Sequence, residues 1–561
     1  MTSTTEVNPL IDGVVGYPDV VAARYRAVGY WAGVTHDDLL RYRARRSPDL
    51  AAIIDGERRF TYSELDTAVG RTATLLQNRF AIDRGDRVVV QLPNVTEFVV
   101  VVFALFRLGA IPVFALPAHR KRDLDHFVVT TDAVLLVTRS RIAAFDHADM
   151  ADRVAADHLG VRGVLLVDHV DHVDAPSGSP ADRSPADLLT AAATLPEAPT
   201  ERVSAGHVAF LQLSGGTTGI PKLIARTHDD YLYSVRESAR ICGLSDRSRM
   251  LVAMPIAHNF TMSSPGILGI IWVGGAIILT EDPSPPSVLH LIERHQVTII
   301  PAVPPLVISW LNAPERAAAD VSSLEVLQVG GAKLSRAVAE RVAPTFGCRL
   351  QQVFGMAEGL VCYTRLDDDN DTIVSTQGRP ISAADEIRVV DEHDQPVAPG
   401  TPGALLVRGP YTIRGYFRAP EHNARTFTAD GFYRTGDLVV QRSDGYLTVV
   451  GRTKDQINRG GEKIAPEEVE NALLAHPDVH DVSVVGLGDE VLGERIHAFV
   501  VARSGAVGMR PVDLRRFLAA VGLAEYKVPD SIEFVRALPE TGVGKVDRAR
   551  LGGQARPRRL V

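Results

Sequence analysis

Residues 207–223 read HVAFLQLSGGTTGIPKL, an apolar run followed by a loop stripped of bulky side chains. The run predicts a buried strand, and the periodic segment from Asp229 predicts a helix, so the loop is expected to join strand to helix. Gly215, Gly216 and Gly219 let a backbone approach a ligand closely. Ser214, Thr217 and Thr218 supply hydroxyl donors, and Lys222 supplies positive charge. Together they suit a phosphate, because a concave run of N–H groups with a nearby cation binds anions. The P-loop of nucleoside triphosphatases ends in Gly-Lys-Ser/Thr, whereas here Ile220 follows Gly219, so that pattern fails. The segment either holds phosphate by another design or is a plain turn.

Outward from this loop, short β-branched runs recur: RVVVQL, IPVFAL, AVLLVT, GVLLVD, RMLVAMP, GAIILT, VTIIPAV, LEVLQVGG and RLQQVFG. They are apolar on both faces and separated by amphipathic stretches, which predicts helix-covered, mostly parallel sheets in an α/β body. From about residue 385 to 450 closely spaced alternating strands with glycine turns predict a small antiparallel, barrel-like β subdomain. After GRTKD at 451–455 a compact α+β pattern follows, with helices in EEVENALLAH and DLRRFLAAV and strands in VSVVGL and HAFVVAR. The expected division is therefore 1–453 and 454–561.

At 561 residues the chain is long enough for several lobes. A formal net charge of −8 argues against nucleic acid or an anionic membrane as the main partner. Three cysteines without a CxxC spacing indicate neither a disulfide framework nor a zinc site. The start MTSTTEVNPLIDG lacks a basic, apolar leader, and FVVVVFALF is too short to cross a bilayer, so a cytoplasmic protein is expected. The Asp/His alternation in DHVDHVDAPSGSPADRSPADL reads as a Pro/Ser-rich surface loop rather than a metal site. HRKR at 119–122 and RPRR near the end read as solvated charge.

The loop has companions: QVGGAKL at 328–334, QQVFGMAEG at 351–359, YRTGDL at 433–438, GRTKDQINRGGEKI at 451–464 and ETGVGK at 540–545. In order and spacing these resemble the adenylate-forming enzymes: acyl-CoA synthetases, peptide-synthetase adenylation domains and luciferases. The resemblance implies a large N-terminal domain and a mobile C-terminal lid. KLIARTHDDY, MPIAHNFTMSSPG and FGMAEGLVCYTRLDD look more specifically like the aryl-acid adenylating enzymes of siderophore biosynthesis. Those enzymes activate 2,3-dihydroxybenzoate or salicylate with ATP and load it onto an aryl carrier protein. Amino-acid-activating relatives have an Asp where Asn259 stands, paired with the substrate ammonium. An aryl acid lacks that cation, and a buried unpaired carboxylate there would be costly.

Carried over residue by residue, the resemblance gives Ser214 to Lys222 the β- and γ-phosphates of ATP and gives Glu358 a Mg²⁺ ion. Phe354 lies on adenine, with Gly331 and Ala332 lining the same pocket. Asp437 accepts from the ribose hydroxyls, with Arg452 nearby; for Arg452 a salt bridge anchoring the linker stays open. His258 sits by the carboxylate or α-phosphate. Lys545 reaches the carboxylate and α-phosphate oxygens, where charge gathers in the transition state. Lys454 is the hinge, and NRGGEK at 458–463 approaches the thiol tunnel after the lid turns. Gly330, Asn259, Ser264 and Val361 line the aryl-acid pocket. Ser264 and Val361 stand where 2,3-dihydroxybenzoate enzymes tend to have Ser and Val and salicylate enzymes Cys and Leu. That favours 2,3-dihydroxybenzoate, with salicylate as a slower alternative. No segment resembles a carrier attachment site, so the acceptor is expected to be a separate carrier protein or, alternatively, coenzyme A. A non-catalytic nucleotide-binding protein would be expected to have lost Lys545, Glu358 or Asp437, and all three are present.

Overall fold

The computed structural model describes residues 11–168, 188–198, 203–214, 221–459, 462–489, 491–503, 508–542 and 544–554. The apolar runs form two large sheets. The first has nine strands, in spatial order 379–380, 361–363, 349–355, 326–329, 299–302, 249–252, 276–279, 51–55 and 58–61. It is parallel through its centre and antiparallel at both edges. The second has six strands, ordered 223–227, 208–213, 111–114, 87–91, 135–138 and 163–166, all parallel except the pair at the 223–227 edge.

One hydrophobic core gathers side chains from both sheets around the helices Tyr62–Phe80 and Thr96–Leu108. FVVVVFALF lies in the second of these, and every residue of that helix is buried. A run apolar all round is what a helix needs when packed on all sides. Further helices cover the outer faces, Pro285–His295, Pro304–Leu311 and Arg336–Phe346 on one sheet, and Lys121–Thr131 and His147–Asp157 on the other. The α/β expectation of two helix-covered, mostly parallel sheets is met. No described helix is long and apolar enough to cross a membrane.

Strands 386–390, 402–408, 433–441 and 447–452 form a four-stranded antiparallel meander. The chain leaves it at Arg452, makes a single 3-10 turn at Thr453–Asp455, and enters another sheet at Ile457. That sheet is built on the long hairpin Val479–Asp489 and Gly493–Ala502, with Ser531–Phe534 added in parallel and the helices Pro466–Leu474 and Pro511–Ala520 beside it.

The strand-to-helix expectation for the Gly/Thr loop is corrected. Leu223–Thr227 is a strand, antiparallel to Val208–Leu213, so the loop joins two strands of a hairpin, and the helix begins at His228. KLIART hid its strand because Arg226, a charged residue, is 2% exposed. Its Nε donates to Asp230 Oδ1 (3.1 Å), Nη1 to the Ala357 carbonyl (2.7 Å) and Nη2 to the Tyr411 carbonyl (2.9 Å). A buried guanidinium is tolerable only when its donors are answered in this way. Thr227 and Asp230 then form a capping box that starts the helix.

Beside this helix His36 Nδ1 and His228 Nδ1 stand 2.6 Å apart, both rings fully enclosed. Burial, and for His36 the neighbouring imidazole, pushes both pKa values down, that of His228 to about 3. Unfolded histidine titrates near 6.5, so below that pH the unfolded chain binds protons that the fold refuses. The contribution is intact above the unfolded pKa and is lost as pH falls through it. Urea unfolding between pH 7.5 and pH 5 is expected to show stability falling by about 2 kcal/mol per buried histidine, with a shallower fall in a His36→Leu variant.

Candidate active site

The strand Arg249–Val252 leads into a segment held by one buried amide. Asn94 Nδ2 donates to the carbonyls of Val252 (3.1 Å), Met254 (2.9 Å) and Thr280 (2.9 Å), and its Oδ1 accepts the Ile256 N–H (2.8 Å). His258 is thereby placed to cap the short helix Asn259–Ser263, its Nδ1 accepting the Phe260 N–H at 3.3 Å. Burial, and then the charge of Lys545, push the His258 pKa down to about 3, so the ring is neutral. Asn259 heads the helix with its Oδ1 taking the Tyr231 hydroxyl at 2.9 Å. Ser264 ends it, buried, 3.3 Å from the Ser263 hydroxyl.

Facing this helix, Gly330 and Gly331 follow the strand Val326–Val329. A Cβ on Gly330 would lie 2.9 Å from the Val353 carbonyl and 3.1 Å from the Phe260 ring. Gly331 has φ +80°, and a Cβ there would stand 3.1 Å from Lys545 Cε and 3.8 Å from its Nζ. Val361 is buried in one apolar cluster with Phe260, Val303, Val353 and Tyr363. Phe260 is the common neighbour: it follows Asn259, its carbonyl accepts the Ser264 N–H at 3.1 Å, its ring crowds Gly330, and it shares a cluster with Val361. Phe354, opposite Cys362 in the sheet, packs in a neighbouring cluster with Ala357, Leu360 and Ile224. Ala332 is exposed.

Two buried carboxylates lie on the other side. Glu358, 6% exposed, accepts the Tyr416 hydroxyl at 2.7 Å, and the Tyr416 and Tyr433 hydroxyls are 3.0 Å apart. Burial raises its pKa; Tyr416 and Arg452 oppose that rise. Asp437, 5% exposed, accepts from Arg452 Nε at 2.8 Å across paired strands. Its pKa too is raised by burial, against the pull of Arg452 and Lys545. The Lys545 ammonium is itself depressed by burial and by Arg452, with Asp437 and Glu358 opposing. His258, Gly331, Glu358, Asp437, Arg452 and Lys545, spread over nearly 300 residues, therefore act on one another electrostatically or by contact.

Ser214 and Lys222 close the base of the Gly/Thr hairpin by reciprocal bonds, Ser214 N to Lys222 O (2.9 Å) and Lys222 N to Ser214 Oγ (3.0 Å). Lys222 lies near His422, whose lowered pKa reflects burial and that ammonium, and the His422 ring packs 5.0 Å from Tyr416. Gly215, Gly216, Thr217, Thr218 and Gly219 lie outside the described residues, as do Gly460 and Gly461 of NRGGEK, residues 169–187 of the Asp/His stretch and the C-terminal RPRR. Lys454 is exposed in the 3-10 turn. Arg548, three residues after Lys545, binds Glu467 (2.9 Å), Glu470 (2.7 Å) and Asp455 (3.6 Å). Sequence reasoning missed Asn94, Tyr231, Tyr416 and Tyr433. Tyr231 closes KLIARTHDDY and Tyr433 opens YRTGDL, but neither motif tells what the phenol bonds, and Asn94 and Tyr416 lie outside the motifs read from the sequence.

Buried charges gathered in this way from Glu358, Asp437, Arg452 and Lys545 suit the joining of two anions. Comparison with known families agrees. The profile described as AMP-binding enzyme matches residues 40–417, and that of the AMP-binding enzyme C-terminal domain matches residues 468–545. The chain belongs to the AMP-binding enzymes, the adenylate-forming superfamily. It is 50% identical over 542 residues to 2,3-dihydroxybenzoate-AMP ligase of Bacillus subtilis, covering 97% of each chain. It is 46% identical over 548 residues to pyochelin synthase PchD of Pseudomonas aeruginosa, covering 98% of this chain and 97% of the relative. Its structure matches that of apo MbtA from Mycobacterium smegmatis with a TM-score of 0.73 at 43% identity, over 97% of this chain and 99% of that one. Within the family it is an aryl-acid–AMP ligase.

Substituting Gly331→Ala tests the closeness of Lys545. The new Cβ meets both a positive φ and the lysine stem, so pyrophosphate exchange is expected to fall at least about 10-fold while the melting temperature drops by only a few degrees.

Proposed function

We propose that the enzyme activates 2,3-dihydroxybenzoate with ATP, releases pyrophosphate, and transfers the aryl group to the phosphopantetheine thiol of a separate aryl carrier protein in siderophore biosynthesis. The observation that carries the substrate choice is the neutral Asn259 amide at the head of a short helix, beside Phe260 and Val361. An uncharged donor suits an ortho-hydroxyl where a carboxylate would be left unpaired. The Ser264 hydroxyl supplies a partner for a 3-hydroxyl, and the Bacillus subtilis relative is named for this acid.

The first step joins two anions, so it needs alignment and charge compensation. One carboxylate oxygen attacks the α-phosphorus, and the bond to pyrophosphate breaks. Lys545, held over Gly331, steadies the carboxylate and the growing charge on the α-phosphoryl oxygens. His258, kept neutral, donates from Nε2 to the same region without adding a second cation. Asp437 accepts from the ribose diol while Arg452 opposes the rise in its pKa, and Phe354, Gly331 and Ala332 border the adenine. Ser214 to Lys222 take the outer phosphates.

Glu358 is suited to hold Mg²⁺. It is a buried carboxylate whose Oε1 accepts the Tyr416 hydroxyl, and a cation at Oε2 would favour the charged form that burial disfavours. A single carboxylate plus substrate phosphates is an ordinary magnesium site. Such an ion, when bound, offsets the charge on the departing pyrophosphate.

In the second step the thiol sulfur forms a bond to the acyl carbon, and AMP leaves with the former bond pair. Residues 1–453 and 454–561 act as two domains about Lys454, which lets Lys545 withdraw before the thiol enters. Within HRKR, Lys121 is paired with Asp125 and Asp157, and Arg120 lies 4.0 Å over the Phe145 ring, so that cluster is partly committed at home.

Pyrophosphate exchange over 2,3-dihydroxybenzoate, salicylate, benzoate, 3-hydroxypicolinate and amino acids tests the reading. The first is expected to lead, with salicylate about 10-fold behind; exchange led by an amino acid refutes it. Lys545→Ala is expected to lose at least about 100-fold in exchange while still binding ATP. Thioester formation should favour a holo aryl carrier protein over coenzyme A by about 10-fold or more; the reverse order would make the enzyme an aryl-CoA ligase.

A further inference from the structure

We propose that Tyr231 is a positioning residue that decides which end of the Asn259 amide the aryl acid meets. This rests on reading Asn259 as the contact to the ortho substituent. Tyr231, the fourth residue of the helix His228–Ile241, is 1% exposed. Its ring is clamped edge-to-face by Phe210, with centroids 4.6 Å apart, and lies 5.0 Å from the Arg226 guanidinium carbon. The hydroxyl has little freedom, and it donates to Asn259 Oδ1 at 2.9 Å. Burial pushes the phenol pKa well up, so it remains a donor at any working pH.

An amide side chain has one accepting end and one donating end, of almost equal shape. With Oδ1 fastened to Tyr231, Nδ2 is the end left for a ligand. In a 2-hydroxybenzoate the ortho-hydroxyl donates to its own carboxylate, which leaves its oxygen lone pairs facing outward. The Nδ2 donor matches them. In 2-aminobenzoate the outward group is a second N–H, which meets Nδ2 as donor against donor. Ser263 fixes the same helix turn from the other side, its hydroxyl donating to the Asn259 carbonyl at 3.2 Å and standing 3.3 Å from Ser264 Oγ. Selection between ortho-hydroxy and ortho-amino acids thus originates one residue behind the pocket wall. Without the phenol the amide is free to turn over and present its oxygen.

The test is pyrophosphate exchange with salicylate, 2-aminobenzoate and benzoate in wild type, Tyr231→Phe, Asn259→Ala and the double variant. The ratio of kcat/KM for salicylate over 2-aminobenzoate is expected to fall about 10-fold in Tyr231→Phe, the value of one hydrogen bond made or refused. Benzoate has no ortho group, so its kcat/KM and the KM for ATP should stay within about 3-fold, which also certifies the fold. In the Asn259→Ala background Tyr231→Phe should change the ratio less than about 2-fold, because the tyrosine acts through the amide. 4-Fluorophenylalanine at position 231 fills the hydroxyl's volume without its proton and should reproduce the ratio change. Equal losses on all three acids, or an unchanged ratio in Tyr231→Phe while Asn259→Ala abolishes it, overturn the positioning role alone. If Asn259→Ala leaves the preference for salicylate over benzoate intact, the assignment of Asn259 falls and takes this proposal with it.

Discussion

The rest of the structure depends on keeping one ammonium in a place that disfavours it. Lys545 is buried, which lowers its pKa, and Arg452 lowers it further; among the described residues Asp437 and Glu358 pull the other way. Each carboxylate is equally uncomfortable alone, and burial raises both. The three groups therefore tolerate burial partly because of one another. What they create is a strong field in a water-poor gap, where an electrostatic contact counts for far more than it would at the surface. Two negatively charged reactants can be brought together in such a gap because the protein has already met the desolvation cost on its own side.

The scaffolding follows from that demand. Glu358 is fixed by Tyr416 and the His258 segment by Asn94, through hydrogen bonds between groups far apart in sequence, and Asp437 by Arg452 on the next strand. Arg226 ties the edge of the six-stranded sheet to the Ala357 and Tyr411 carbonyls, which brings the stretch carrying Glu358 against the hairpin that bears the Gly/Thr loop. Missing side chains matter as much: Gly330 and Gly331 leave room for the Val353 carbonyl, the Phe260 ring and the stem of Lys545.

Much of this was legible in the chain itself. The β-branched runs marked the strands of both large sheets, because a strand covered on both faces must be apolar throughout. The six glycine-rich motifs announced the family, since backbone that approaches a nucleotide tolerates few other residues. The strand Leu223–Thr227 was hidden because Arg226 looks solvent-facing until its three acceptors are known, and two of those lie more than 130 residues away. The role of Tyr231, although it closes KLIARTHDDY, and that of Asn94 were hidden for the same reason. A lone polar residue in an apolar setting has no local signature, and its meaning resides in partners that only the folded chain supplies.

Arg548 carries a mechanical consequence. Three residues beyond Lys545, its Nη1 faces both Asp455 in the turn and Glu467 in the helix Pro466–Leu474, while its Nη2 holds Glu470 of the same helix. The backbone just beyond the lysine is moored by these three ion pairs. Helix, linker turn and the stretch after Lys545 are thereby joined as one piece, like a door on its pin rather than a curtain.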